Sequence, residues 1–141
     1  MVYFDTNVFV YMAAGQDRAK RRMAAELVCG ALKEGGVAIS TQVLSEFTNV
    51  MLKKTTRTDA EIRRFLAQFG KLVQADVSPS TVVRALELKA KYGIQFYDAQ
   101  HLASAAKMQC SVIYTEDLND GQVYAGVRAE NPFRKEFGAA K

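Results

Sequence analysis

Short apolar runs alternate with stretches of helical character along this chain, and that alternation narrows it to one fold class. The runs are Val2 to Phe4, Val37 to Ile39, Leu72 to Ala75 and Ser111 to Tyr114, with a further one at Val127 to Ala129. Each has the length of a short buried strand. Helices are expected between them, over Val8 to Ala13, Asp17 to Lys33, Gln42 to Lys54, Thr58 to Gly70, Pro79 to Tyr92 and Tyr97 to Met108. Thr58-Asp59-Ala60-Glu61 matches a capping box, and Ser78-Pro79 sets a cap before a proline at the first helical position. Gly70 and Gly93 are stops. Strands alternating with helices predict an α/β fold with a mainly parallel central sheet of four or five short strands. The 141 residues suit one domain over 1–141.

Several function classes drop out early. No apolar stretch approaches the ~20 residues of a membrane span. The N-terminus opens directly on a strand, without the basic-then-apolar layout of a signal peptide. A soluble, cytoplasmic protein is expected. Cys29 and Cys110 fit no metal or redox spacing and read as two reduced, half-buried thiols. His101 is the only histidine, so a Cys/His pair and a Ser/His/Asp triad both depend on it; a packing or surface role is expected for it. The net charge is +4, with basic clusters at Lys20-Arg21-Arg22, Lys53-Lys54, Arg57, Arg63-Arg64 and Arg134-Lys135. Taken alone, each cluster reads as a solvated helix face or end.

Four carboxylates stand out against that background. Asp5 and Asp117 follow apolar runs, where ligands bind in parallel α/β sheets. Glu46 falls inside the apolar stripe of Val43, Phe47 and Val50. Asp98 opens the face continued by Leu102 and Ala105, at a helix N-terminus that favours its charge. Two carboxylates ~5 Å apart repel by about 3 kcal/mol at an effective dielectric near 20. Stranding four near a core is costly unless a cation neutralises them. Oxygen ligands alone point to Mg²⁺, with Mn²⁺ as a substitute, and so to phosphate chemistry. A metal-filled acidic pocket within a basic rim suits a polyanion.

In order and spacing these residues resemble the PIN-domain nucleases, and within them the VapC-type toxins of toxin–antitoxin pairs. Asp5-Thr6-Asn7 resembles the opening motif, Ser45-Glu46-Phe47 the second, and Phe96-Tyr97-Asp98-Ala99 through His101 to Ala105 the third. Tyr114 to Gly121, with Gly126-Val127-Arg128 and Asn131-Pro132-Phe133, resembles the fourth. The resemblance implies a three-layer α/β/α fold. It implies metal-dependent endonucleolytic cleavage of RNA (tRNA, rRNA or mRNA), in which water attacks phosphorus in line and leaves 5′-phosphate and 3′-hydroxyl ends. Asp5, Glu46, Asp98 and Asp117 would hold the metal, Asp120 being an alternative or supporting ligand, while Asn7 and Thr115 orient carboxylates or water. Glu116 would point to solvent. A homodimer and a small VapB-like antitoxin partner are also implied. A PIN-fold nuclease for RNA processing or for DNA shares the same chemistry, and a non-catalytic nucleic-acid-binding module of the same fold would be expected to lose acids. A haloacid-dehalogenase-type enzyme would need an aspartate where Asn7 stands.

Overall fold

The computed structural model describes residues 1–134. The chain runs through β1 (Val2–Phe4), α1 (Thr6–Ala14), α2 (Arg18–Glu34), β2 (Val37–Ser40), α3 (Thr41–Lys54) and α4 (Asp59–Phe69). It continues through β3 (Val73–Ala75), α5 (Pro79–Tyr92), α6 (Phe96–Lys107), β4 (Val112–Tyr114), β5 (Val123–Tyr124) and β6 (Val127–Glu130). The strands form one sheet in the order β3-β2-β1-β4-β6-β5. All are parallel except β5, which runs antiparallel to β6. Right-handed crossovers put α1 to α4 over one face and α5 with α6 over the other. The helices contact one another in those two groups, giving the α/β/α layers.

β1 is the axis of the molecule. Val2 pairs with Val37 on one side and Val112 on the other. Tyr3 and Phe4 are fully buried, as expected where helices cover both faces of a parallel sheet. Aromatic contacts fix the helices around it. Phe69 lies 4.9 Å from Phe9 and 4.9 Å from Phe47, tying α1, α3 and α4 together. Tyr92 packs on Tyr124 at 5.0 Å and accepts the Ala125 N–H. Each such pair contributes about 0.5–1.5 kcal/mol beyond its buried area. Gly15 lets the chain turn from α1 to α2, because a Cβ there would meet the Tyr11 carbonyl oxygen at 2.6 Å.

The sheet has six strands, not four or five. The extra strand, β5, has only two residues, and its hairpin is made by Ala125 and Gly126, both with positive φ. α1 starts two residues earlier than expected because the Asp5 carboxylate caps it, accepting the Thr6 N–H at 2.6 Å. Gln95 caps α6 through its Oε1, which accepts the N–H groups of Tyr97 and Asp98. Asp98 therefore sits in the first turn rather than at the cap. The cysteines are both free, but Cys29 is exposed and Cys110 buried, so the half-buried expectation fits neither. Among the described residues no helix is long and apolar enough to cross a membrane. Lys135 and the rest of the expected basic tail lie outside the described residues.

Candidate active site

The sheet order reverses around β1 and β4, whose neighbouring helices lie on opposite faces. A crevice opens there, beyond the C-terminal ends of the two strands. Asp5 leaves β1 into it and Asp117 leaves β4 into it. The first turn of α6 carries Asp98 to the same place. Carboxylate oxygens of Asp5, Asp98 and Asp117 all lie within 4.8 Å of one another. Asp5 is buried and fixed at both oxygens: Oδ1 accepts the Thr6 N–H, and Oδ2 accepts the Thr115 hydroxyl at 2.8 Å. Thr115 Oγ1 also accepts the Asp117 N–H, so one hydroxyl links two of the acids.

Glu46 enters from α3 and is held from three directions. Thr6 Oγ1 donates to Oε1 at 2.6 Å, Gln42 Nε2 donates to Oε2 at 3.3 Å, and His101 Nε2 lies 2.8 Å from Oε1. The same Nε2 is 3.3 Å from Asp5 Oδ1. Such a contact with two carboxylates requires a proton on Nε2. On the far side of the ring, Nδ1 meets the Tyr3 hydroxyl at 2.7 Å, and that hydroxyl meets Ser40 Oγ at 2.8 Å. A buried chain thus runs from Ser40 through Tyr3 and His101 to Glu46.

The electrostatics divide the acids. Burial, then the charges of Asp117 and Asp5, push Asp98 up to about 6. Burial, then the Asp5 charge and a hydrogen bond with the Asp5 carboxyl, push Asp117 up to about 6. Burial also works against the charge on Glu46, but hydrogen bonds from His101, Thr6 and Gln42, together with the His101 charge, hold it at about 2. For His101, burial opposes the cation, yet the Glu46 hydrogen bond and the charges of Asp5, Glu46 and Asp98 raise its pKa overall. Among the described residues no lysine or arginine pairs with any of the four acids. Asp98 and Asp117 are the two whose charge is left without compensation.

That donor set fits a hard divalent cation. Asp5, Asp98 and Asp117 supply oxygens alone, which is the chemistry Mg²⁺ and Mn²⁺ take. Asp5, Glu46 and His101 also bring three donor atoms within 4.8 Å. We favour the aspartate group, because His101 Nε2 carries a proton and has no lone pair to offer.

Other residues singled out in the sequence are placed as follows. Asn7 lines the acidic pocket, and its side chain makes no hydrogen bond among the described residues. Asp120 lies outside both acid groups: it accepts the Asn131 N–H at 2.7 Å and pairs with Arg134. Glu116 does not point to solvent. It accepts from the Tyr11 hydroxyl at 2.5 Å and from Lys20 at 3.1 Å, binding the loop that carries Asp117 to α1 and α2. His101 is buried with both ring nitrogens bonded, inside the acid site. Thr6, Gln42 and Tyr3 join the site as well, beyond the residues the sequence marks. Two local signals existed: Thr6 adjoins Asp5, and Gln42 lies one helical turn before Glu46.

Fold and crevice define a family. The chain matches the PIN domain over residues 2–124 and belongs to that family. Solved structures of the same fold include a toxin–antitoxin complex from Klebsiella pneumoniae, 21% identical, with a TM-score of 0.70 over 94% of this chain and 98% of that one. They include VapC20 of Mycobacterium tuberculosis, described as a sarcin-ricin-loop-cleaving toxin: 19% identical, TM-score 0.65, over 91% of this chain and 99% of that one. VapBC2 of Rickettsia felis, bound to a promoter DNA fragment, is 20% identical, with a TM-score of 0.66 over 93% and 98%. At these identities the likeness is one of fold. No curated protein matches the sequence.

Proposed function

We propose that this chain, acting as a single domain in the cytoplasm, is a divalent-metal-dependent endoribonuclease and the toxin half of a toxin–antitoxin pair. The observation that carries the reading is the convergence of Asp5, Asp98 and Asp117 within 4.8 Å at the switch point of the sheet, with Glu46 beside them. Asp5, Asp98 and Asp117 would hold Mg²⁺, or Mn²⁺ in its place, with Glu46 completing the set. When bound, the metal supplies activation of water and relief of charge on the phosphate oxygens. The protein's own part is positioning. Thr6 and Thr115 lock Asp5, while Thr6, Gln42 and His101 lock Glu46, so two acids are preorganised. Asp98 and Asp117, less constrained, adjust to the incoming charge.

Arg18, Arg21, Lys53, Lys54 and Arg57 surround a groove of about 890 Å³ at the far ends of α1 and α3, a cationic approach for an RNA backbone. An antitoxin partner is supported by the toxin–antitoxin assemblies among the solved relatives. A homodimer is supported by Val82, Val83 and Leu86, which stand exposed on one side of α5. Asp120, engaged by Asn131 and Arg134, supports the turn after β4 rather than the metal. The test is cleavage of a tRNA and total-RNA mixture with Mg²⁺, Mn²⁺ or EDTA, beside Asp98→Asn. Discrete fragments that require both metal and Asp98 are expected. Equal cutting by the variant overturns the site; no cutting by folded protein overturns the activity.

A further inference from the structure

A second cleft, of about 480 Å³, lies between α3 and α6 and shares Glu46, Asn49 and Tyr97 with the acidic pocket. Its chemistry differs from that of its neighbour. Among the described residues no basic side chain lines it, and Glu46, on the shared wall, is its one charged group. What remains is amide, hydroxyl, the Val77 side chain and one aromatic ring. Tyr97 is 54% exposed, although its backbone is pinned at both ends. Its N–H donates to Gln95 Oε1 at 2.8 Å, and its carbonyl accepts from Gln42 Nε2 at 3.0 Å. The ring is steadied edge-on by Phe96 at 5.3 Å. Asn49 stands exposed on the opposite helix, and its side chain makes no hydrogen bond among the described residues. Gln100 donates to Gln42 at 3.0 Å and keeps its own carbonyl oxygen free.

A fixed, exposed ring beside the unbonded Asn49 amide, in a cleft to which no described residue brings a cation, suits a flat uncharged group with hydrogen-bonding edges. We propose that this cleft receives one unpaired nucleobase of the RNA, stacked on Tyr97 and read at its edge by Asn49, next to the phosphate being cut. The inference rests on the ribonuclease reading and deepens it: the substrate is single-stranded at the cut. A base inside an A-form helix enters such a cleft only at an unstacking and unpairing cost of a few kcal/mol, whereas loops and single strands present bases freely. Aromatic stacking of this kind is tolerant of base identity, so Asn49 would carry the preference and Tyr97 the affinity.

The test pairs protein variants with base-deleted substrates. Short single-stranded RNAs, intact or with an abasic ribose on either side of the cut, are cleaved by wild type, Tyr97→Phe, Tyr97→Ala and Asn49→Ala, with folding checked by circular dichroism. Tyr97→Ala should lower kcat/KM on the order of tenfold, and Tyr97→Phe should stay near wild type. The abasic RNA should lose a similar factor with wild type and little more with Tyr97→Ala, as expected when both changes delete one contact. Asn49→Ala should flatten the preference among the four bases. Equal abasic losses in wild type and Tyr97→Ala overturn the pocket. A binding arm separates this from failure of the nuclease reading. Anisotropy of the same labelled RNAs on Asp98→Asn in EDTA should weaken when Tyr97→Ala is added, whether or not wild type cuts. Unchanged binding overturns the inference and leaves the cleft to a protein segment.

Discussion

Asp98→Asn, in the absence of metal, should make the protein more stable at neutral pH and no more stable in acid. The Asp98 carboxyl is pushed up to about 6 by burial and by its acidic neighbours. Its unfolded value is near 3.9. The folded state therefore binds the extra proton between roughly pH 4 and pH 6. Stability from this group is full below that window and falls as pH rises through it. Two pH units correspond to about 3 kcal/mol. Partial exposure of the side chain screens the interaction, so about 1–2 kcal/mol is the working figure. For 141 residues the unfolding entropy is about 0.3 kcal/mol/K, which converts that figure to about 3–6 °C.

Thermal unfolding in EDTA followed by circular dichroism, at pH 4.5 and pH 7, reads this directly. Wild type and variant should melt within a degree or two of each other at about pH 4.5, near the foot of the window, and the variant should melt clearly higher at pH 7. Glu46, held at about 2, adds stability that is lost as pH falls from its unfolded value near 4.3 toward 2, a loss that wild type and variant share. His101, whose pKa is raised, loses its contribution only as pH climbs above its unfolded value of about 6.5. Adding Mg²⁺ at pH 7 should then reverse the order, because only the intact site gains binding energy. A variant that melts lower than wild type at pH 7 in EDTA, or that differs equally at both pH values, refutes the account of uncompensated charge.

Three further outcomes follow from particular contacts. Thr115→Val keeps the shape but removes the hydroxyl shared by Asp5 and the Asp117 N–H; RNA cleavage should fall about 10–100-fold with little change in the far-ultraviolet spectrum, and wild-type rates would show that the hydroxyl positions nothing. Tyr3→Phe leaves Ser40 and His101 Nδ1 without their shared partner in a buried site, so stability in chemical denaturation should drop by about 1–3 kcal/mol; an unchanged midpoint would mean that water replaces the hydroxyl. Gln109 holds φ 60 just after α6 with its side chain exposed, and Gln109→Gly should raise stability by about 0.5–1 kcal/mol, measured by melting, whereas a loss would argue against left-handed strain there.

Which elements could be read from the sequence follows from how local their causes are. β1, β2 and β4 are buried on both faces, so they appear as unbroken apolar runs. The capping box at Thr58 and the Ser78-Pro79 start of α5 are decided within four residues, and both caps form. β5 has no such local signature. It exists because Tyr124 packs on Tyr92 and because Ala125 accepts a left-handed conformation that its side chain disfavours. From the sequence Asp5 is either an acid for a site or a loop or cap residue after a strand, and the structure joins the two, because the same carboxylate caps α1. The cap directs Oδ1 at the Thr6 N–H and so fixes the acid's orientation in the crevice.

The acids and their supports differ in the same way. Asp5, Glu46, Asp98 and Asp117 each admit an ordinary reading alone, and it is the four together, two at strand ends and two on core-facing helix sides, that the sequence marks. His101 raised no such alarm, since its partners Tyr3 and Glu46 are 98 and 55 residues away. Its role is visible only once β1, β2, α3 and α6 have closed around it. One clue was nonetheless present in β1. A tyrosine in a three-residue strand buried on both faces must find its hydroxyl a partner, because an unsatisfied buried hydroxyl costs about 1–3 kcal/mol. Tyr3 belongs to the apolar run of its strand by sequence, but its hydroxyl couples Ser40 to His101 and, through that ring, reaches Glu46 and Asp5. The burial of one phenol, argued to its end, leads from the middle of the sheet to the acids at its edge.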